Sequence, residues 1–344
     1  MKEYPKSFEE LTGDEIVDCV ENILITHGKK ALDLARNEVL HEKVESTQIQ
    51  EALHYFITKY WGDVTRPALM SLICEAVGGN SERLTQISAS IILISGAVDI
   101  HDDIIDKSKT KNSRQTVLGK FGSDIALLVG DALYFKGFTL LYQAIEKDFQ
   151  PEVCSFVLET IKTTFFDMGD AEACELKLRG KYDVSPEEYI RISTKKAADV
   201  EAYAIISAVL GGGTPNQVND FGKFGRLLGT ILILRDDLLD LIDFKELTHR
   251  IYEEHLPLPM LYALQNPTSA PKLKSIISQQ TIIENDVDEL LEIIEKSGSF
   301  KKYRNLLENL TEQSLKYISE IQNRKNELEL ITKSILLPLD DLKI

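Results

Sequence analysis

Apolar residues recur at helical spacing through most of this chain. From Asp14 to about Val44 they fall at three- and four-residue intervals, as expected for a long amphipathic helix. Alternation of the kind seen in strands is hard to find anywhere. The same periodicity predicts helices over residues 47–60, 65–77, 81–106, 123–145, 151–178, 185–210 and 215–242, then shorter ones over 258–264, 282–294 and 300–323, with a final amphipathic piece before residue 344.

Turn signals separate these segments. Gly78-Gly79-Asn80-Ser81 is typical of a helix stop followed by an N-cap, and Gly211-Gly212-Gly213-Thr214-Pro215 ends one helix and begins another. No Pro-, Gly- or Ser-rich stretch could serve as a linker, and there is no internal repeat. We therefore expect an all-α helical bundle that forms a single domain over residues 1–344.

Composition narrows the class of protein. The formal net charge of −16 argues against nucleic-acid binding, which needs a cationic surface. The four cysteines lack metal-type spacing and indicate core residues of a reduced compartment. The N-terminus lacks the apolar run of a signal peptide, and the most apolar stretch, Ile87 to Val98, is short. These features predict a soluble cytoplasmic protein without a transmembrane segment.

Two acidic clusters carry the candidate chemistry: Asp102-Asp103-Ile104-Ile105-Asp106 and Asp236-Asp237-Leu238-Leu239-Asp240. On a helix, residues i and i+4 lie about 40° apart, so each cluster presents its carboxylates on one face. The apolar flanks turn both helices inward, where carboxylates need cations. Mg²⁺ suits such sites because it bridges carboxylates to substrate phosphates. A solvated acidic face is the other interpretation of one cluster, and the second copy weighs against it.

With these clusters, the chain resembles the trans-isoprenyl diphosphate synthase family over most of its length. The matching stretches, in order, are His101-Asp102-Asp103-Ile104-Ile105-Asp106, Phe121-Gly122, Val129-Gly130-Asp131-Ala132-Leu133, Lys195-Lys196-Ala197, Arg235-Asp236-Asp237-Leu238-Leu239-Asp240 and Leu256-Pro257-Leu258-Pro259. Their order and spacing follow the family pattern, which makes the resemblance far more specific than either cluster alone.

The resemblance implies a fold and a mechanism. It implies antiparallel helices around a central cavity, with the two clusters facing each other and binding three Mg²⁺ ions together with an allylic prenyl diphosphate. The metals would promote ionisation of the allylic C–O bond, and an acceptor double bond would attack the carbocation. The catalytic residues would be Asp102, Asp103, Asp106, Asp236, Asp237, Asp240 and Lys195.

Several cations would contact diphosphate if the resemblance holds. Lys195 matches the family's lysine on the leaving diphosphate, and Lys111 matches the first arginine of an Arg-Arg-Gly motif. Arg66 is retained from the acceptor site, and Arg250 is the nearest cation after the second cluster. An ordinary surface lysine is the alternative interpretation of Lys195 and of Lys111.

The pocket for the acceptor, isopentenyl diphosphate, looks depleted. Asp63 stands where the family has a lysine, Ser95 where it has His or Gln, and Asn112 where it has the second arginine. Arg114, or Lys107 or Lys109, could replace Asn112 if the loop is rebuilt. Ala97 and Val98 are small, so we expect products longer than farnesyl diphosphate.

Three hypotheses stay open from the sequence. The first is a polyprenyl diphosphate synthase that uses isopentenyl diphosphate. The second is a class I terpene cyclase, or a prenyltransferase with an acceptor lacking a diphosphate, which the depleted pocket favours. The third is a non-catalytic partner subunit of a synthase, against which six intact motif aspartates argue. The chain is expected to form a homodimer, or a heteromer with a related synthase.

Overall fold

The computed structural model describes residues 12–111 and 113–341, which are almost entirely helical. The α-helices of the first half are α1 (Gly13–Leu40), α2 (Thr47–Tyr55), α3 (Thr65–Ala76), α4 (Thr85–Ile105), α5 (Val117–Phe121), α6 (Ser123–Asp148) and α7 (Pro151–Leu176). Those of the second half are α8 (Pro186–Lys196), α9 (Ala198–Leu210), α10 (Pro215–Ile242), α11 (Phe244–Glu253), α12 (Leu258–Leu264), α13 (Ala270–Ile277), α14 (Glu284–Lys296), α15 (Ser299–Tyr317), α16 (Lys325–Ser334) and α17 (Leu337–Asp341). A π-helical turn (Phe56–Tyr60), a 3₁₀ turn (Ser81–Leu84) and the two-residue strands β1 (Thr110–Lys111) and β2 (Arg114–Gln115) complete the order. The predicted all-α class is confirmed.

The helix predicted over residues 185–210 is wrong, because α8 ends at Lys196 and α9 begins at Ala198. The guanidinium of Arg226 donates from Nη1 to the carbonyls of Thr194 (2.9 Å) and Lys195 (3.1 Å). These carbonyls lie in the last turn of α8, where a helix end leaves carbonyl oxygens available to other donors. A distant side chain therefore stabilises the break. The helix predicted over 47–60 is also interrupted, since the α-helix ends at Tyr55 and a π-helical turn follows.

The structure divides into two compact units. Within the described residues, unit 1 contains residues up to 160, 203–219 and 321–330, and unit 2 contains 161–202, 220–320 and those from 331 onward. The first acidic cluster lies in unit 1 and the second in unit 2. The expectation of a single domain stays a prediction.

In unit 1, α4 packs against α1 and α6. Two glycines of α6 permit the close approach to α4: a Cβ on Gly130 would lie 2.5 Å from Nε2 of His101, and one on Gly137 would lie 2.6 Å from Ile94. Side chains of α4 are buried along most of its length, including Ile92, Ile100 and Ala97. This packing fixes the C-terminal end of α4, where the first cluster lies.

In unit 2, α10 carries the second cluster. A Cβ on Gly229 would lie 2.9 Å from Cβ of Ala197, so α10 passes close to the break between α8 and α9. Farther along α10, the buried hydroxyl of Tyr303 on α15 donates to the carbonyl of Leu234. Both contacts hold α10 in the two turns that precede Asp236.

Two segments reach the length and hydropathy of a membrane span, Ser81–Ile105 and Ser123–Asp148. Of their apolar windows, 72% and 39% respectively are buried in the fold. Core helices pass the same test, so these segments are weak evidence for a membrane. The predicted cytoplasmic location stays a prediction.

Candidate active site

The first cluster ends a helix that supplies no cation of its own. Asp102 and Asp103 lie in the last turn of α4, Asp106 is its C-cap, and the last turn contains no basic residue. A helix C-terminus carries partial negative charge, so three carboxylates there are unfavourable without a counter-ion. The cation must come from another element.

Lys111, on β1, supplies it. β1 and β2 pair as an antiparallel ladder that sets Lys111 opposite Arg114. Nζ of Lys111 lies 2.9 Å from Oδ1 of the buried Asp103, 3.6 Å from Oδ2 of Asp102 and 3.9 Å from Oδ1 of Asp99. Burial lowers the pKa of Lys111, but these three carboxylates raise it well above its ordinary value. Lys111, which was predicted to contact diphosphate, is therefore paired with the aspartates in this structure.

Asp103 is the most constrained member of the cluster. Burial raises its pKa to about 7, with Lys111 opposing and Asp99 adding to the shift. The ammonium of Lys111 lies 2.9 Å from Oδ1, and in the described part of the chain no other group hydrogen-bonds either carboxylate oxygen. A buried carboxylate with unused lone pairs is suited to a cation.

Asp99 was not singled out by sequence reasoning. It lies one helical turn before Asp103 on α4 and shares Lys111 with the cluster. An acidic residue inside the apolar stretch of α4, at i−4 from Asp103, was the available signal.

Asp63 and Arg66 pair with each other at the start of α3. Oδ2 of Asp63 lies 3.1 Å from Nη1 of Arg66, while Oδ1 accepts the amide N–H of Thr65 (2.9 Å) and of Arg66 (3.2 Å). The two residues that the sequence placed in the acceptor pocket are thus bound to each other. Asp63 accepts the first two amides of α3 as well as reversing the charge at this position.

The remaining acceptor positions have other partners. Oγ of Ser95 and the hydroxyl of Tyr203 lie 2.8 Å apart in the interior of unit 1. Arg114 donates from Nη1 to the carbonyl of Lys59 at 3.4 Å. Asn112 lies outside the described residues. The proposal that Arg114 replaces Asn112 is not tested by these contacts and stays a prediction.

In the second cluster, Asp237 is held from several sides. Only 2% of it is exposed. The hydroxyl of Tyr189 on α8 lies 2.7 Å from both carboxylate oxygens, and Nη2 of Arg250 donates to Oδ1 at 2.8 Å. Burial raises the pKa of neighbouring Asp240 to about 6, although Arg250 opposes the shift. Asp236, by contrast, has a side chain that is 56% exposed and pairs with the adjacent Arg235.

Arg250 is the cation of this cluster. Nη1 donates to Asp240 at 2.8 Å, Nη2 donates to Asp237, and Nε donates to the carbonyl of His255 at 3.2 Å. Nη2 also lies 3.1 Å from Nδ1 of His255, and since a guanidinium only donates, Nδ1 accepts. The sequence predicted that Arg250 binds the substrate diphosphate. In the structure Arg250 is largely buried and is paired with Asp237 and Asp240.

A second layer orients Arg250. Nε2 of His255 lies 2.7 Å from Oε1 of the buried Glu175, which also pairs with Lys196. Burial raises the pKa of Glu175, but Lys196 and His255 lower it well below its ordinary value. The residues Tyr189, Glu175 and His255 were missed by sequence reasoning, because nothing in their spacing connects α7 and α8 to the loop after α11.

Lys195, next to Lys196 at the end of α8, has partners of its own. It pairs with the exposed Asp170 and lies 3.9 Å from Oδ1 of the half-buried Asp167. Its carbonyl binds Arg226, so its backbone position at the end of α8 is fixed while its side chain reaches solvent. This is consistent with a lysine that can exchange Asp170 for an anionic ligand.

The residues suit a divalent cation bound together with phosphate. Across residues 12–111 and 113–341, no three His, Cys, Asp or Glu side chains converge as they do around a metal ion. In both clusters an amino-acid cation holds the carboxylates instead. The donors are all hard oxygen ligands, and Asp103 has unused lone pairs, which fits Mg²⁺ when substrate phosphates complete the coordination.

Comparison with known proteins decides the family. The profile of the polyprenyl synthetase family matches residues 46–294, most of the chain. The chain belongs to the polyprenyl synthetase family. The resemblance inferred from the motifs is therefore confirmed.

Curated relatives of this polyprenyl synthetase are prenyltransferases. A short chain isoprenyl diphosphate synthase from Methanothermobacter thermautotrophicus is 28% identical over 69% of the chain and 74% of its own length. Octaprenyl diphosphate synthase from Escherichia coli is 29% identical over 70% of the chain and 75% of its own length. The prediction of a prenyltransferase enzyme is confirmed at this level.

Solved structures extend the likeness to the fold. Geranylgeranyl pyrophosphate synthetase from Pyrococcus horikoshii superposes with a TM-score of 0.81 at 26% identity, over 92% of this chain and 98% of its own. A polyprenyl synthase from Caulobacter crescentus, crystallised with calcium and isoprenyl diphosphate, has a TM-score of 0.77 at 20% identity over 94% and 97% of the two chains, which shows the fold alone. The predicted isoprenoid synthase fold is confirmed.

Proposed function

We propose that this polyprenyl synthetase is a magnesium-dependent polyprenyl diphosphate synthase. It ionises an allylic prenyl diphosphate and joins the allylic carbon to the double bond of an acceptor. The observation that carries the proposal is a difference in burial between the first and second aspartate of each cluster. The second aspartate, Asp103 or Asp237, is buried against a cation, whereas the first, Asp102 or Asp236, remains partly accessible.

The six motif aspartates are our proposed metal ligands: Asp102, Asp103, Asp106, Asp236, Asp237 and Asp240. When bound, Mg²⁺ withdraws charge from the diphosphate and so weakens the allylic C–O bond. Lys111 and Arg250 hold the buried carboxylates in place before substrate arrives. The number of ions expected from the resemblance, three, stays a prediction.

Lys195 is our proposed contact for the leaving diphosphate. Its ammonium reaches solvent from a helix end fixed by Arg226, and its partner Asp170 is exposed. An exposed ion pair is weak, so exchange of Asp170 for a more highly charged diphosphate is favourable. The side chain would stabilise the negative charge that develops on the leaving oxygen.

Chain length is the next part of the proposal. Ala97 is buried on α4 and Val98 follows it, so no large side chain from these two positions shortens the space before the cluster. We therefore propose products longer than farnesyl diphosphate.

Product analysis tests the function. Purified protein with Mg²⁺ is incubated with geranyl, farnesyl or geranylgeranyl diphosphate, with and without isopentenyl diphosphate, and products are identified by mass spectrometry. Longer prenyl diphosphates that form only with isopentenyl diphosphate support elongation. Asp102→Asn should abolish them, whereas Asp33→Asn, which makes the same charge change at a side chain of α1 that is 45% exposed, should not. No turnover with any substrate would favour the partner-subunit hypothesis.

A second candidate is a terpene cyclase or a prenyltransferase whose acceptor lacks a diphosphate. Two contacts favour it: Arg66 is already paired with Asp63, and Ser95 is bound to Tyr203. Hydrocarbons or alcohols formed in the same incubation without isopentenyl diphosphate, and lost in Asp102→Asn, would establish this candidate.

We also propose that the chain forms a homodimer through α6. Leu128, Phe135 and Tyr142 recur every seven residues on this helix and are 54%, 78% and 50% exposed. Apolar side chains at heptad spacing are typical of helix pairing. Light scattering should give a dimer that Phe135→Glu dissociates and that Val17→Glu, at a position on α1 that is 53% exposed, leaves intact. A monomeric wild-type protein would favour a heteromer or no assembly.

A further inference from the structure

Two carboxylates outside the motifs lie beside Arg66 and Lys111, two cations that an acceptor diphosphate could approach. Asp63 pairs with Arg66 at 3.1 Å, and Asp99 lies 3.9 Å from Nζ of Lys111. The inference drawn here rests on the proposed function, because it concerns how the acceptor diphosphate of that reaction meets these two cations. Asp63 and Asp99 have no role in the mechanism as described above.

Asp63 cannot simply turn away from Arg66. One of its oxygens accepts two backbone amides at the start of α3, and its side chain is only 9% exposed. The pair is therefore built into the beginning of the helix. A diphosphate that approaches Arg66 meets a guanidinium already neutralised by a fixed carboxylate.

Asp63, Arg66, Asp99 and Lys111 belong to one electrostatic neighbourhood. Burial raises the pKa of Asp99, Asp102 and Asp63 raise it further, and Lys111 and Arg66 lower it. All these charges lie in unit 1. Because Lys111 is shared by Asp99, Asp102 and Asp103, carboxylates outnumber cations there.

An excess of carboxylates disfavours a free diphosphate but tolerates a less charged form of it. One Mg²⁺ cancels two of the negative charges of the diphosphate. We propose that Asp63 and Asp99 are specificity-determining residues, which exclude the free diphosphate of the acceptor from Arg66 and Lys111 and admit it as its magnesium complex. This requires no additional metal site in the protein, because the ion arrives with the acceptor.

Calorimetric titration with isopentenyl diphosphate in EDTA tests the exclusion. The proteins compared are wild type, Asp63→Asn, Asp99→Asn, the double variant and Asp33→Asn. Asparagine at position 63 can still accept the two amides of α3. We expect the double variant to bind at least about tenfold tighter than wild type, with each single variant between them. Asp33→Asn should match wild type, since the Asp33 side chain is 45% exposed and pairs with Lys29 on α1.

Equal affinity of wild type and the double variant in EDTA would overturn the exclusion. Circular dichroism of each variant separates a folding defect from a binding effect, and the gain of affinity expected here cannot come from misfolding. The titration needs no turnover. Its result therefore stands even if the proposed function fails in product analysis.

Kinetics test the second half of the proposal. With geranyl diphosphate as co-substrate, free Mg²⁺ is varied over a range in which kcat is already constant. In wild type, the KM for total isopentenyl diphosphate should fall as the complexed fraction rises, and in the double variant it should be flat. A KM in wild type that does not respond to Mg²⁺ would overturn the claim that the complex is the form admitted.

Discussion

Nη2 of Arg250 donates to Oδ1 of Asp237 at 2.8 Å, and both side chains are largely buried. The second aspartate cluster therefore contains its own counter-ion within unit 2. Burial lowers the pKa of Arg250, but Asp237 and its other partners raise it well above its ordinary value, so the guanidinium stays charged. This pair makes the cluster part of the folded core as well as a candidate ligand set.

Arg250→Ala should destabilise the protein by about 3–5 kcal/mol, because it leaves the Asp237 carboxylate buried without its cation. Chemical denaturation followed by circular dichroism measures the change. Arg235→Ala is the matched control, since Arg235 pairs with Asp236 at the surface and its loss should cost less than about 1 kcal/mol. Equal losses in the two variants would contradict the role given to Arg250.

The close approach of α1 to the start of α3 gives a second prediction. A Cβ on Gly28 would lie 2.3 Å from the backbone carbonyl oxygen of Val64, so one of the two helices must move. We expect Gly28→Ala to cost about 1–3 kcal/mol in chemical denaturation. Gly13→Ala, on the same helix with nothing within 4 Å of the added Cβ, should have little effect. A neutral Gly28→Ala would mean that α1 can shift freely.

Much of the helical framework was predictable because its signals are local. The periodicity of residues 215–242 and 258–264 coincides with α10 and α12. The break at Ala197 was not predictable in this way, since the group that stabilises it, Arg226, is distant in sequence. By contrast, α11 was missed although Asp243 caps it, accepting the amides of Lys245 and Glu246.

The candidate site also has a part that was predictable from local sequence and a part that depends on distant residues. The two acidic clusters are short motifs, and a sequence pattern identifies them directly. Which carboxylate is buried depends on tertiary contacts: Asp237 meets Tyr189 from α8 and Arg250 from α11. For that reason Arg250 could be predicted as a nearby cation, but its burial on the aspartates could not.

Glu254 should make stability depend on acid pH. Burial would raise its pKa, but the hydrogen bond with His249 and the charge of Arg250 lower it to about 2 from an ordinary 4.5. A depressed carboxyl pKa stabilises the fold above the unfolded pKa, and this stabilisation is lost as pH falls through the folded pKa. Wild type should therefore lose roughly 3 kcal/mol between about pH 5 and pH 2 from this group alone.

Glu254→Gln tests the assignment. The variant should be less stable than wild type near neutral pH, and the difference between the two proteins should shrink as pH falls from about 5 toward 2. Denaturation curves at a series of pH values measure it. Glu284→Gln, at an exposed position on α14, is the control that should keep the pH dependence of wild type. A constant difference between Glu254→Gln and wild type across the range would contradict the assignment.

Two adjacent lysines at the end of α8 should separate stability from function. Lys196 lies 3.0 Å from Oε2 of Glu172 and also pairs with the buried Glu175, so Lys196→Ala should destabilise the fold by about 2 kcal/mol. Lys195 pairs with the exposed Asp170. Lys195→Ala should therefore leave stability unchanged. If Lys195 contacts the leaving diphosphate as proposed, the variant should also lower kcat/KM for the allylic diphosphate at least about tenfold.

Chemical denaturation and steady-state kinetics on the same preparations distinguish the two lysines. Lys195→Arg, which retains the positive charge, should recover part of the lost kcat/KM, whereas a side chain needed only for packing would show no such charge dependence. If Lys195→Ala retains full kcat/KM, then Lys195 is an ordinary surface lysine held by Asp170, and the leaving diphosphate must be stabilised by the metal ions and other cations.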